Sequence, residues 1–295
     1  MTQIRLAIFD WDGTLMDSVG RIVACVAAAA RDCAEVVPTA TETHQIIGLS
    51  LEVGIPRLFS LEQGGERANA LIDRYRHHYL HDATPSPLFA GARELLHGWH
   101  EQGIALAVAT GKSRRGLDRV LDETGLRSLF AATRGADEAN SKPEPLMLTQ
   151  ILTELALIPS QAVMIGDSIH DMAMAEALAM PRIGVSWGVH DRGRLQAHHP
   201  LAVVDTMAEL RALLVDDKHR DAIKNGSQGF RFLLPTFYLH QGRERPWRSS
   251  SSISPISGKP ISALGSRPSR ALNSTIPMPS HLKLPAQSRG RSAST

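Results

Sequence analysis

Cysteine is scarce, with two residues in 295. Cys25 and Cys33 lie eight apart in an alanine-rich pattern, about 12 Å along a helix, too far to bridge. A disulfide framework is excluded, and a reducing compartment is expected. Long apolar runs are missing too. None approaches the roughly 20 residues of a membrane span, and the first residues lack the charged, apolar, small-residue order of an export signal. The expected location is cytoplasmic. Net charge is small, +2, but unevenly spread. From Lys218 onward there are 13 Lys and Arg against 2 Asp and Glu, leaving 19 against 28 before it, so −9 in the body and +11 in the tail. An acidic body argues against nucleic-acid binding by the folded part and suits divalent cations. Aromatics are few, at 5%, yet 43% hydrophobic residues suffice for a core, in one large domain or two modest ones.

The remaining residues are strongly ordered in pattern. Ile4 to Phe9 is a short apolar run ended by a turn signal, as in a buried parallel strand. Val19 to Arg31 reads as a helix, and helical pieces continue from about Glu42 to Leu80. "HDATPSPLFAG" then breaks the pattern. Beyond it, strands ("IALAVAT", "LFAATRGAD", "QAVMIGD", "RIGVSWG", "LAVVD") alternate with helices ("ARELLHGWHEQG", "SRRGLDRVLDETG", "EPLMLTQILTELAL", "IHDMAMAEALAM", "MAELRALLV"). That alternation indicates an α/β fold with a doubly wound parallel sheet. The expected division is a core of 1–16 and 85–217, an inserted helical cap of 17–84, and a tail of 218–295. Of the last 55 residues 14 are Ser and 7 are Pro, with one acidic residue, so the tail is expected to be disordered. Its basic character leaves an RNA or membrane-surface contact open; the plainer expectation is an extension without a role.

Polar residues recur where strands end. The first strand leads into Asp10-Trp11-Asp12-Gly13-Thr14. "IALAVAT" leads into Thr110-Gly111-Lys112-Ser113. Lys142-Pro143 is read as opening a helix. "QAVMIGD" ends in Gly166-Asp167-Ser168, with Asp171 one turn on. In a parallel sheet these ends share one edge, where ligands bind. Side chains two apart on an extended chain share a side, so Asp10 and Asp12 would face one space and repel, unless a cation or different roles separate them. Trp11 would point the other way, into packing. "GKS" at 111–113 is not a P-loop, because Leu106 stands where that motif needs glycine. The histidines at 77, 78, 81, 198 and 199 lack metal-site spacing and read as surface or cap residues.

Together "FDWDGTLMDS", Thr110, Lys142 in "SKPEP" and "GDSIHD" resemble the four motifs of haloacid dehalogenase-like hydrolases, in order, over about residues 4–216. The helical insert is similar to the small cap of the phosphoglycolate phosphatase-like subgroup. The resemblance implies a Mg²⁺-dependent phosphatase acting on a small phosphorylated metabolite. Asp10 would be the nucleophile, and Asp12 the general acid and then base. Metal ligands would be Asp10, Asp167 and the backbone carbonyl of Asp12, with Thr110, Gly111 and Lys142 on the phosphate. Gly13 would tighten the turn, Thr14 bond locally, Asp171 orient Lys142 or the metal's water shell, and Ser168 assist. A sugar-phosphate mutase shares all four motifs. Dehalogenation would need neither Mg²⁺ nor Asp12. A phospho-acceptor or binding module would also cluster aspartates with a lysine, but the large helical insert argues against it. Monomer and homodimer both stay open.

Overall fold

The computed structural model describes residues 4–82, 84–216 and 230–232. Six parallel strands form one sheet: β1 (Leu6–Phe9), β2 (Ala105–Ala109), β3 (Phe130–Arg134), β4 (Ala162–Gly166), β5 (Arg182–Val185) and β6 (Ala202–Val204). Their spatial order is β3-β2-β1-β4-β5-β6. β1 is therefore central, paired with β2 through Phe9↔Val108 and with β4 through Phe9↔Ile165. Chain direction across the sheet reverses at β1, which opens a crevice beyond its carboxyl end.

Both faces of the sheet are covered, so its strands carry continuous apolar runs rather than alternation. Ala7 and Phe9 pack with Leu95 and Trp99 of α5 (Ala92–Glu101) and Leu117 of α6 (Arg114–Thr124). Leu6 and Ile8 face the other way, onto Met147 and Ile151 of α7 (Leu146–Glu154) and Met174 of α8 (Ile169–Glu176). Trp11 is fully buried in the first of these clusters, its ring edge-on to Phe130 and its Nε1 donating to Met16 Sδ.

Four helices lie between β1 and α5: α1 (Val19–Asp32), α2 (Ala40–His44), α3 (Leu51–Phe59) and α4 (Glu66–His81). α1 buries Ile22, Cys25, Val26, Ala29 and Ala30, the 3.6-residue spacing of a one-sided helix. Ile22 and Val26 join Ile55, Leu71 and Tyr75 in a cluster separate from those on the sheet. Cys25 and Cys33 are free. α2 starts with a reciprocal capping box between Thr39 and Glu42.

Three local features differ from the sequence reading. α7 starts at Leu146, so Lys142 lies in the turn before a helix rather than at its start. A short helix, α9 (Arg192–Gln196), follows β5, where no helix was read. After α10 (Met207–Leu213), β7 (Leu214–Asp216) pairs antiparallel with β8 (Phe230–Phe232). Three residues of the stretch expected to be disordered are thus a strand, and the rest of 218–295 lies outside the described residues. Among the described residues no helix is long and apolar enough to cross a membrane.

Candidate active site

β1 ends in a turn that sends two carboxylates into one cavity. Asp10 Oδ1 accepts from the Trp11 amide at 2.7 Å and from Lys142 Nζ at 2.9 Å. Its other oxygen, Oδ2, is buried and has no hydrogen-bond partner. Asp12 is turned to different company. Its Oδ1 accepts from Ser18 Oγ at 2.5 Å and lies 2.9 Å from Lys112 Nζ. The chain returns through Gly13 at φ +80, a left-handed conformation that favours glycine. A methyl group there would run into the Asp167 carboxylate.

Asp167 follows β4. Its Oδ1 accepts from Thr14 Oγ1 at 2.7 Å and its Oδ2 from the Val189 amide at 2.9 Å. The Thr14 hydroxyl is therefore tied to a residue 153 positions away, while its amide donates within its own turn to the Trp11 carbonyl at 3.3 Å. Ser168 caps α8 in a reciprocal box with Asp171: the Asp171 amide donates to Ser168 Oγ at 3.3 Å and the Ser168 amide to Asp171 Oδ2 at 3.1 Å, and Ser168 Oγ also donates to Asp171 Oδ2 at 2.6 Å. The second Asp171 oxygen takes Lys142 Nζ at 2.6 Å. Lys142 thus bridges Asp10 and Asp171 with its side chain fully buried. Thr110, at the end of β2, is buried too, and its Oγ1 accepts from the Lys112 amide at 3.3 Å.

The electrostatics of this cluster are unbalanced. Carboxylate oxygens of Asp10, Asp167 and Asp171 lie within 4.8 Å of one another, against one buried ammonium, Lys142. Burial drives the Asp10 carboxyl well above its ordinary range, against the pull of Lys142, with Asp171 and Asp167 pushing the same way as burial. Asp167 is pushed up to about 7 by burial and Asp171, against the Val189 amide, the Thr14 hydroxyl and Lys142. Burial opposes the charge on Lys142, but Asp10 and Asp171 outweigh it and hold the amine above its usual range. Excess buried negative charge, three carboxylates against one ammonium, fits a hard divalent cation, which takes oxygen ligands. Asp171 is tied up by the Lys142 ammonium and Ser168. Asp167 is held by two neutral groups, the Thr14 hydroxyl and the Val189 amide, which leave its charge unpaired among the described residues and make it, with Asp10, the better-suited side-chain donor.

The cavity holds about 660 Å³. Asp10, Asp12, Thr110 and Gly111 line its floor, and α1 and α4 its roof. The geometry links Asp10, Lys142, Asp171 and Ser168 in one bonded network, with the Asp167 carboxylate within 4.8 Å of those of Asp10 and Asp171 and Gly13 against it. Asp12 shares the cavity but bonds to Ser18 and Lys112 instead. Thr110 and Gly111 join them at the cavity wall rather than through bonds to the aspartates.

Sequence reasoning missed Lys112. Its amine touches Asp12 and also Tyr79 Oη at 3.0 Å, and lies 4.8 Å from the centre of that ring. The signal in the chain is its place two residues after Thr110, among the polar residues that follow the strand. Ser18 was missed as well. Its partner, Asp12, is within reach only because α1 begins where the turn after β1 ends.

Comparison with known proteins gives the family. The family model for haloacid dehalogenase-like hydrolases matches residues 7–185. A Dickeya dadantii protein named Probable phosphatase IndB is 34% identical over 209 residues, covering 70% of this chain and 91% of that protein. A phosphoglycolate phosphatase of Agrobacterium fabrum is 32% identical, covering 72% of this chain and 92% of its own. Among solved structures, a haloacid dehalogenase-like family protein from Streptococcus pneumoniae superposes with a TM-score of 0.63 at 23% identity, covering 72% of this chain and 99% of that one. A parallel sheet with its acidic residues gathered at the central strand's end, matched over most of its length by that family, makes this chain a haloacid dehalogenase-like hydrolase.

Proposed function

We propose that the chain hydrolyses a small phosphomonoester, of the phosphoglycolate or sugar-phosphate kind, through a phosphorylated Asp10. The observation that carries this reading is the asymmetry of Asp10. One oxygen is clamped by Lys142 and an amide while the other is unpartnered at the floor of a cavity. Clamping fixes the carboxylate's direction, so the buried, unpartnered oxygen is held in place rather than mobile, as an in-line nucleophile requires.

In the first step an Asp10 oxygen bonds to phosphorus and the bond from phosphorus to the alcohol oxygen breaks. Asp12 gives its proton to the departing oxygen. In the second step Asp12 takes a proton from water, the water oxygen bonds to phosphorus, and the Asp10–phosphorus bond breaks to release phosphate. Thr110 and the Gly111 amide hold phosphate oxygens, and Lys142 offsets charge on the transferring group. Asp171 positions Lys142 through their 2.6 Å contact. Asp10, Asp167 and the Asp12 carbonyl would hold Mg²⁺, which when bound neutralises phosphate charge. Residues 17–84 act as the cap over a core of 1–16 and 85–217.

Phosphate release from 2-phosphoglycolate and p-nitrophenyl phosphate tests the reading. Turnover should need Mg²⁺ and vanish in Asp10→Asn. Turnover that survives both EDTA and that substitution would refute it.

A further inference from the structure

The cavity is larger and more apolar than a phosphorylated two-carbon acid requires. At about 660 Å³ it has room for roughly twenty waters and falls among pockets that enclose drug-sized ligands, about 300–1,000 Å³. Its phosphate end is marked by Asp10, Thr110 and Gly111, and the leaving oxygen's place by Asp12. The rest of the lining includes Ile22 and Val26 from α1, Tyr75 and Leu80 from α4, and Leu51 from α3. The charged Arg76, Arg115 and Arg119 line it alongside them. Leu80 is 53% exposed, a leucine left uncovered on the cavity wall.

This volume belongs to a form in which the helical segment already rests on the sheet's edge. The Ser50 amide donates to Ser141 Oγ at 2.9 Å. Gly111 sits so close to the Gly48 and Leu49 carbonyls that an added methyl would lie 2.7 and 2.5 Å from their oxygens. Arg194 donates to Gln45 Oε1 at 2.7 Å, and His170 Nε2 lies 3.0 Å from the Gln45 carbonyl. Lys112 joins Asp12 to Tyr79 of α4. The space is therefore not left by helices standing off the sheet.

We infer that the leaving group is a bulky alcohol with an apolar or ring-bearing body, which lies against α1 and α4 while its phosphate occupies the Asp10 end. The inference rests on the phosphomonoester hydrolysis proposed above and narrows its leaving alcohol, away from the two-carbon acid and toward a larger, ring-bearing one. A phosphorylated two-carbon acid has nothing to cover the aliphatic wall, whereas a ring-bearing alcohol removes that wall and its own surface from water together. Tyr79 is not the stacking platform. Its ring already has the Arg21 guanidinium 4.6 Å and the Lys112 amine 4.8 Å from its centre. Discrimination is assigned to the aliphatic residues and Tyr75.

The test uses the full chain with Mg²⁺ and three esters whose leaving alcohols are similarly acidic but differ in bulk: ethyl, benzyl and 2-naphthylmethyl phosphate. 2-Phosphoglycolate is run beside them. kcat/KM should rise at least tenfold from ethyl to naphthylmethyl phosphate, mostly through KM, as expected for burying on the order of 100 Å² more apolar surface. Leu80→Ser, at an exposed position where folding is not at stake, should lower the naphthylmethyl-to-ethyl ratio at least threefold. A flat or falling series, a preference for 2-phosphoglycolate over all three esters, or an unchanged ratio in Leu80→Ser overturns the inference while leaving hydrolysis intact. No turnover of any ester by folded protein overturns the hydrolase reading and this inference with it.

Discussion

Lys142 carries the strongest prediction at the scale of a residue. It is the shared ammonium of two buried carboxylates, 2.9 Å from Asp10 and 2.6 Å from Asp171. Lys142→Met should cost about 3–5 kcal/mol in denaturant unfolding, the usual penalty for stranding a buried charge. It should also lower kcat by roughly 10²–10³-fold, as for loss of a preorganised electrostatic donor. Asp167 makes a prediction about pH. Its carboxyl titrates near 7 when folded against a reference of 3.8. Below about pH 4 both states hold the proton. Between there and about 7 the unfolded chain releases it while the folded one keeps it, so this group's contribution to stability falls as pH rises, then levels off above 7. A bound cation needs ionised ligands, so Mg²⁺ should raise Tm more at pH 8 than at pH 5. At 100-fold excess over Kd the rise at pH 8 should be about 5 °C or more. An equal shift at both pH values, followed by calorimetry with and without EDTA, would count against Asp167 as a ligand.

At the scale of elements, two of the contacts that tie the helical insert to the core can each be cut alone. Tyr79→Phe removes the hydroxyl that meets Lys112 at 3.0 Å and should cost about 1 kcal/mol. Combined with Lys112→Met in a double-mutant cycle, it should show coupling of about 0.5 kcal/mol or more; additive losses would mean the contact is energetically idle. Gly111→Ala acts differently, by forcing the Gly48 and Leu49 carbonyls away. It should raise KM about tenfold with the circular dichroism spectrum unchanged, and an unaltered KM would show that the loop gives way without consequence. Elements were also what the sequence disclosed best. Apolar runs such as "IALAVAT" and the Ile22–Val26–Ala29 spacing state their geometry locally, and the structure has β2 and α1 there. Short pieces such as α9 and β8 have too few residues to show a period. The position of α7 was blurred because Pro143 and Pro145 lie just ahead of it. Convergence of Asp10, Thr110, Lys142 and Asp167 at one edge followed from strand alternation alone. The partners of Lys112 and Thr14 did not, since contacts across 100 and 153 positions leave no periodic trace in the chain.

At the scale of the whole molecule, a central-strand carboxylate, an acidic cluster suited to a cation and a roofed cavity meet at one sheet edge. The proposed reaction requires that Asp10 become covalently phosphorylated. The direct measurement is to mix the Mg²⁺-loaded protein with a turned-over phosphomonoester, quench within a turnover, reduce with borohydride and map the peptides by mass spectrometry. An aspartyl-phosphate is reduced to homoserine, so the account predicts homoserine at position 10 and at no other aspartate, with none in Asp10→Asn. Reduction at Asp12, Asp167 or Asp171 instead, or full turnover by Asp10→Asn, would contradict it.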